Sequence, residues 1–179
     1  MVRFSALFEL FGQAPDAGAV DELIDRYRES YRLAERPVAG ARVLLERLRT
    51  LGLKIGIVTN SVVVEQVSKI ARLEFEGLID ALVVSEGVGL VKPDPRIFQE
   101  ALRLLDCPAS EAVMIGDSWQ ADMEGARAAG LRAIWLNRHG ARVPDAGVAV
   151  ECTSLEPVER ILDLIGYGTD PLVQGHPAH

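Results

Sequence analysis

Apolar positions along the chain follow two rhythms, amphipathic stretches of helical period and short continuous runs that read as buried strands. Phe4, Leu7, Phe8 and Phe11 share one helical face, and residues 19–34 predict a second helix. Asp21 and Glu22 lie near its start and Arg26, Arg28 and Arg32 towards its end, the order that the helix dipole favours. Residues 41–51 predict a third helix, closed by Gly52. Leu53 to Val58 is a short buried strand that stops at Thr59-Asn60-Ser61, and a helix over about 62–73 follows, with Val63, Val67 and Ile70 on one face. Ala81 to Val84 is the next strand, followed by the loop SEGVGL. Asp94 and Pro95 then open a helix that runs to about Leu105. Ala112 to Ile115 and Ala133 to Leu136 are strands on either side of a helix over 120–129, which Gly130 closes. A short strand at 148–150 and a helix capped by Ser154, ending near Ile165, complete the pattern.

Strand and helix alternating at this spacing predict parallel βαβ units. From residue 37 to 165 the expected fold is α/β, a doubly wound, mostly parallel, Rossmann-like sheet with helices on both faces. Such sheets place their sites at the carboxyl ends of the strands. Residues 166–179, rich in Gly and Pro and without periodicity, are expected to be a flexible tail, and its two His residues carry no assigned role.

Composition narrows the function classes. A net charge of −7 over 179 residues argues against a nucleic-acid backbone as partner, while leaving room for a locally positive site that takes a small anion. Cys107 and Cys152 lack the spacing of a disulfide framework or a zinc site and read as two thiols in a reducing cytoplasm. No apolar run approaches the length of a membrane span, and the first residues lack a signal peptide's apolar stretch. A cytoplasmic protein with no membrane partner is the expectation.

Three polar clusters follow the apolar strands: Thr59-Asn60-Ser61, Lys92-Pro93-Asp94, and Gly116-Asp117-Ser118 with Asp122. Each alone reads as a polar turn or a helix start. Together, a hydroxyl, an ammonium and carboxylates at the ends of strands suit a phosphoryl group held with a divalent cation. Lysine supplies a point charge to phosphate oxygens. A carboxylate suits Mg²⁺, a hard cation that keeps several waters. The order of the clusters separates this chain from a receiver domain, which runs acid, hydroxyl, lysine. No G-x-x-x-x-G-K-[ST] loop is present, and Gly87-Val88-Gly89 lacks the third glycine of a dinucleotide site.

The succession T-N-S, K-P-D and G-D-S-x-x-x-D resembles the second, third and fourth motifs of the haloacid dehalogenase superfamily, most of whose members are Mg²⁺-dependent phosphatases that form an aspartyl-phosphate. The acidic version of the last motif resembles the phosphatase type rather than the dehalogenase branch, and WLNRHG at 135–140 resembles the segment after the family's later strand. The resemblance implies that Thr59, Asn60 and Lys92 bind phosphate, with Lys92 also stabilising the nucleophile. It implies that Asp117 ligates Mg²⁺ and Asp122 supports the metal shell. A small phosphorylated molecule is the implied substrate.

One motif departs from that pattern. The family's first motif, D-x-D-x-T, carries the nucleophile, and the chain lacks it. Leu7 to Gln13 mimics its register, with Glu9 in place of the nucleophile, Phe11 in place of the general acid and Gln13 in place of the threonine. Phenylalanine cannot transfer a proton, and an amphipathic helix is the favoured reading of this segment. Residues 1–36 resemble the second half of the helical cap inserted after the first motif. On that resemblance the chain is a shortened form, with several dozen residues normally preceding Met1 and the central strand missing. Little or no turnover is then expected, and a non-catalytic phosphate-, metal- or protein-binding module is the alternative. The missing strand predicts either an altered strand order or a homo-oligomer that covers the gap.

Overall fold

The computed structural model describes residues 17–34, 36–145 and 147–167. The expected helix over 4–11, Glu9 and the tail from residue 168 lie outside the described residues. The chain divides into two compact units, Met1–Arg36 and Pro37–His179.

In the first unit, helix α1 spans Ala17–Ala34. It begins two residues earlier than the sequence predicts, so Asp21 and Glu22 fall in its second turn. A Glu22–Arg26 pair at 2.8 Å, one turn apart, staples the exposed face.

The second unit is α/β. Its elements are α2 (Ala41–Thr50), β1 (Gly56–Thr59), α3 (Val63–Arg72), β2 (Ala81–Val84), α4 (Ser85–Val88), α5 (Pro95–Leu105) and β3 (Val113–Gly116). A π-helical turn over Trp119–Glu124 follows, continuing into α6 (Gly125–Ala128), β4 (Arg132–Leu136), β5 (Val150–Cys152) and α7 (Val158–Ile165). Helix ends follow the sequence signals where a side chain or glycine enforces them. Gly52 adopts φ 74° and lets the Leu53 N–H reach back to the Leu48 carbonyl, a left-handed stop at the end of α2. Gly130 does the same after α6, with Leu131 bonded to Ala126. Asp94 caps α5 by accepting from the Arg96 N–H at 3.0 Å, with Pro95 in the first turn.

Several expectations shift. The first strand begins at Gly56 rather than Leu53. SEGVGL contains a helical turn, α4, ended by Gly89 at φ 67°. Ser154 does not cap the last helix; its hydroxyl closes a local turn with the Glu156 N–H, and α7 starts only after Pro157. On α3 Ile70 is buried, while Val63 and Val67 stand exposed, so the predicted apolar face is only partly used.

Strands form two parallel ladders, β1–β2 and β3–β4–β5. Among the described residues no strand-to-strand hydrogen bonds join the two ladders. Among the described residues the strands thus form two ladders where the sequence predicts one sheet. Burial follows this break: β1 and β3 are half-buried or more exposed throughout, whereas β2 and β4 are mostly buried.

Strand β4 separates two cores, because successive side chains on a strand point to opposite faces. Ile134 and Leu136 pack with Leu44, Leu155, Val158, Ile161 and Leu162 on the side of α2 and α7. Ala133 and Trp135 pack with Val83, Ile97, Phe98, Met123 and Ala126 on the side of α5 and α6. Burial of Phe98 and Ile97 contributes about 1.5–3 kcal/mol each. Asp80 ties the ladder's lower end together: it accepts from the Ile55 N–H at 2.7 Å and pairs with Arg49 at 2.5 Å. The Ile55 bond first, then Arg49, hold its carboxyl below the ordinary aspartate range. Among the described residues no helix is long and apolar enough to cross a membrane.

Both cysteines are free, Cys107 partly accessible and Cys152 buried in the α7-side core. Burial also pushes the Cys152 thiol above its ordinary value. A thiol-reactive alkylating agent applied to native protein should therefore modify Cys107 alone, with Cys152 appearing in the mass spectrum only after denaturation. Equal rates at both positions would contradict this packing.

Candidate active site

The carboxyl ends of β1 and β3 deliver the polar clusters to one place. Lys92 stands after α4, and its side chain, 12% exposed, reaches across both ladders. Its ammonium donates to the Val58 carbonyl of β1 at 3.0 Å and to Asp122 Oδ1, in the turn after β3, at 2.6 Å. Asp122, with its side chain 5% exposed, uses its other oxygen to accept from the Ser118 N–H at 3.0 Å. A buried carboxylate is tolerated only with such compensation. The cation that compensates Asp122 is thus Lys92.

Local chain geometry makes the pair possible. Gly116 lies so close to Asp122 that a Cβ there would come within 2.6 Å of its Cγ, so only glycine lets the carboxylate fold back under the strand end. The Ser118 hydroxyl caps the following turn by accepting from the Ala121 N–H at 3.2 Å. The first turn is π-helical, with Asp122 and Met123 both bonded to the Ser118 carbonyl. A π turn widens the helix and turns Asp122 inward, a geometry frequent at functional sites. Gly125 admits the close approach of Phe98 and of the Pro93 backbone, which seats the segment carrying Lys92.

Asn60 fixes Lys92 from the other side. Its amide oxygen accepts from the Lys92 N–H at 2.8 Å and its amide nitrogen donates to the Lys92 carbonyl at 3.1 Å. Its side chain therefore orients the lysine backbone instead of projecting towards a ligand. Thr59 ends β1, half-buried, beside this clamp. The loop that follows is held by the start of α4: Ser85 Oγ accepts from the Ser61 N–H, and Glu86 accepts from the Val63 N–H at 2.8 Å.

Asp117 differs from Asp122. Its side chain is 64% exposed and its charged partner is Arg138, at 3.5 Å. Its backbone carbonyl accepts from the Trp135 indole at 3.0 Å, and Trp135 meets Trp119 edge to face at 5.0 Å. The aromatic pair thus pins the Gly116–Ser118 loop and leaves the Asp117 carboxylate facing solvent. As an open, hard oxygen donor Asp117 fits Mg²⁺, which is commonly held by one or two carboxylates plus waters and phosphate oxygens. Both oxygens of Asp122 are engaged, by Lys92 and by the Ser118 N–H. Among the described residues no three acidic, histidine or cysteine side chains cluster to form a complete metal cage.

The structure brings Thr59, Asn60, Lys92, Asp117 and Asp122 to one edge. The sequence reading noted Arg138 only within WLNRHG; its side chain reaches Asp117. It did not single out Asn137, Trp119, Ser85 or Glu86. Trp119 meets Trp135 only because β3 pairs with β4, so no local pattern signals the contact.

Removing one partner of the buried pair, as in Lys92→Met or Asp122→Leu, should destabilise the fold by about 3–5 kcal/mol in urea unfolding. The double variant should recover a large part of that loss; strictly additive losses would show that the two side chains are not coupled. Asp94 gives a pH-dependent test. Arg96 holds its carboxyl down to about 2, by side-chain and then backbone hydrogen bonds. Because the folded value lies below the unfolded one, the contribution is complete above roughly pH 4 and is lost as pH falls through the folded value. Carboxyl NMR should give a titration midpoint near 2 for Asp94. In Arg96→Ala the midpoint should move back up towards the ordinary aspartate range.

Comparison with known proteins shows the family. Residues 4–136 match the family of haloacid dehalogenase-like hydrolases. A glyceraldehyde 3-phosphate phosphatase from Pyrococcus abyssi is 41% identical over 101 residues, 56% of this chain and 42% of that protein. A ribulose-1,5-bisphosphate 5-phosphatase from Halopiger xanaduensis is 37% identical over 168 residues, 93% of this chain and 70% of that protein. Against the first four curated relatives, all glyceraldehyde 3-phosphate phosphatases, the chain spans only 42–58% of their length. Among solved structures, the HAD-hydrolase YfnB from Bacillus subtilis, bound to magnesium, superposes with a TM-score of 0.76 at 28% identity, over 90% of this chain and 70% of that one. With three-quarters of its length matched to the family, and with the parallel ladders that carry the site, this chain belongs to the haloacid dehalogenase-like hydrolases.

Proposed function

We propose that this chain binds the phosphoryl group of a small phosphate ester at the carboxyl ends of β1 and β3, as the phosphate- and metal-holding part of a phosphatase-type site. One observation carries the reading: the Lys92 ammonium is fixed between the Val58 carbonyl and Asp122. Lysine has three N–H donors. Two are committed to these groups, and the third is the donor for a phosphate oxygen. Thr59 supplies a hydroxyl beside it, and Asn60 contributes by holding the Lys92 backbone in place. Mg²⁺, when bound at Asp117, neutralises charge on the phosphoryl oxygens. Asp122 holds Lys92 in position and anchors the loop that carries Asp117. The related proteins named as glyceraldehyde 3-phosphate and ribulose-1,5-bisphosphate phosphatases support small phosphorylated molecules as the ligand class. Two free thiols suit a reducing, cytoplasmic setting.

Turnover is a separate matter. The chain has no D-x-D-x-T, and Leu7 to Gln13 offers Glu9 and Phe11 where two aspartates would stand. The reading is therefore binding with little or no aspartyl-phosphate chemistry. The unjoined ladders favour a second element of the proposal: the half-buried edges of β1 and β3 meet in a homo-oligomer, and the chain serves as an interaction module on this scaffold.

Calorimetric titration with inorganic phosphate in the presence of Mg²⁺ should show binding by the full chain. Lys92→Gln should weaken it about 10–100-fold, the range for a charged hydrogen bond. Thr59→Ala, a milder change, should weaken it less while leaving the fold intact. An absence of binding by the unaltered protein would reject the reading. Mg²⁺-dependent hydrolysis of p-nitrophenyl phosphate that disappears in Glu9→Gln would instead make Glu9 a working nucleophile. Light scattering that reports a monomer would count against the oligomer.

A further inference from the structure

We infer that Arg138 is the resident counter-cation of Asp117, which a divalent cation must displace, so that this arginine sets how tightly the site takes its metal. The inference rests on the reading of Asp117 as a metal ligand.

Arg138 Nη2 stands 3.5 Å from Asp117 Oδ2. The contact is single, not the two-pronged fork of a strong arginine–carboxylate pair. Both ends face solvent, with the guanidinium side chain 39% exposed. Such a pair is weak and exchangeable. Among the described residues Arg138 is the only charged partner of the Asp117 side chain, because Lys92 is committed to Asp122.

Arg138 is held at this place by its backbone. Asn137, 4% exposed, donates from its side chain to the Ala141 carbonyl at 2.8 Å and to Glu151 at 2.6 Å. It accepts from the Ala141 N–H at 2.9 Å, and its own N–H donates to the Cys152 carbonyl of β5 at 2.7 Å. Trp135 pins the Asp117 backbone from the same strand, β4. Two fixed backbones thus present an exposed guanidinium to an exposed carboxylate. A divalent ion bound to that carboxylate at about 2.0–2.1 Å would bring like charges within a few ångströms, so the guanidinium has to swing away as the ion enters.

The test uses Mn²⁺ as a spectroscopically visible stand-in for Mg²⁺, titrated into the full chain and followed by electron paramagnetic resonance. Arg138→Ala should bind Mn²⁺ roughly two- to fivefold more tightly than the unaltered protein, the range that loss of an exposed ion pair permits. Arg142→Ala removes the same charge from the adjoining loop and should shift binding less than half as far. High salt should narrow the gap between Arg138→Ala and the unaltered protein. Unchanged or weaker binding in Arg138→Ala, with binding lost in Asp117→Asn, would overturn the inference and leave the role of Asp117 standing. Equal tightening in both arginine variants would overturn it too, as a general charge effect. Mn²⁺ binding that survives Asp117→Asn, or that is absent from the unaltered protein, would remove the underlying reading and the inference with it.

Discussion

A single ammonium in a poorly solvated place organises this molecule. Lys92 is the polar link between two ladders that, among the described residues, share no strand-to-strand hydrogen bonds, and Asp122 is the buried carboxylate it makes tolerable. Neither charge could remain in this place alone. Gly116, the π turn and the Gly125–Phe98 contact are therefore requirements of one ion pair, and the candidate site is built around it. The two acids that look equivalent in the sequence have separate roles for the same reason. Asp122 turns inward to meet the lysine, and Asp117, held only through its backbone by Trp135, is left facing solvent.

Most of the α/β order was legible in the sequence, because parallel strands covered on both faces give continuous apolar runs and the helices between them keep a helical period. Ala133 to Leu136 shows why: each of its four side chains is buried, two in either core. Helix ends were readable where glycine or an Asp–Pro pair enforces them, at Gly52, Asp94 and Gly130. They were misread where a hydroxyl had two possible partners. Ser154 carries the signal of a cap, but it closes a turn of its own before Pro157.

The site was legible as residue types and only partly as contacts. Thr59, Lys92, Asp117 and Asp122 stand out because polar clusters after apolar runs are conspicuous. That Asn60 grips the Lys92 backbone depends on two loops 32 residues apart, which no local pattern encodes. Arg138 escaped for the same reason: its partner lies just past the end of another strand, and only the parallel pairing of β3 with β4 brings them together. The half-buried state of β1 and β3 also could not be read from their composition, since apolar runs look alike whether or not a neighbour covers them.

The position of β4 has a consequence for how the protein comes apart. Ile134 and Trp135 are neighbours in the chain but belong to different cores. Loosening the strand exposes both at once, and neither the α2–α7 layer nor the α5–α6 layer can melt while leaving the other intact. The segment from β3 to α7 is thus a single cooperative unit. Strands β1 and β2 form a ladder of their own, yet Val83 packs in the Trp135 core, Arg49 of α2 holds Asp80, and Lys92 joins Val58 to Asp122, so that ladder shares the same layers.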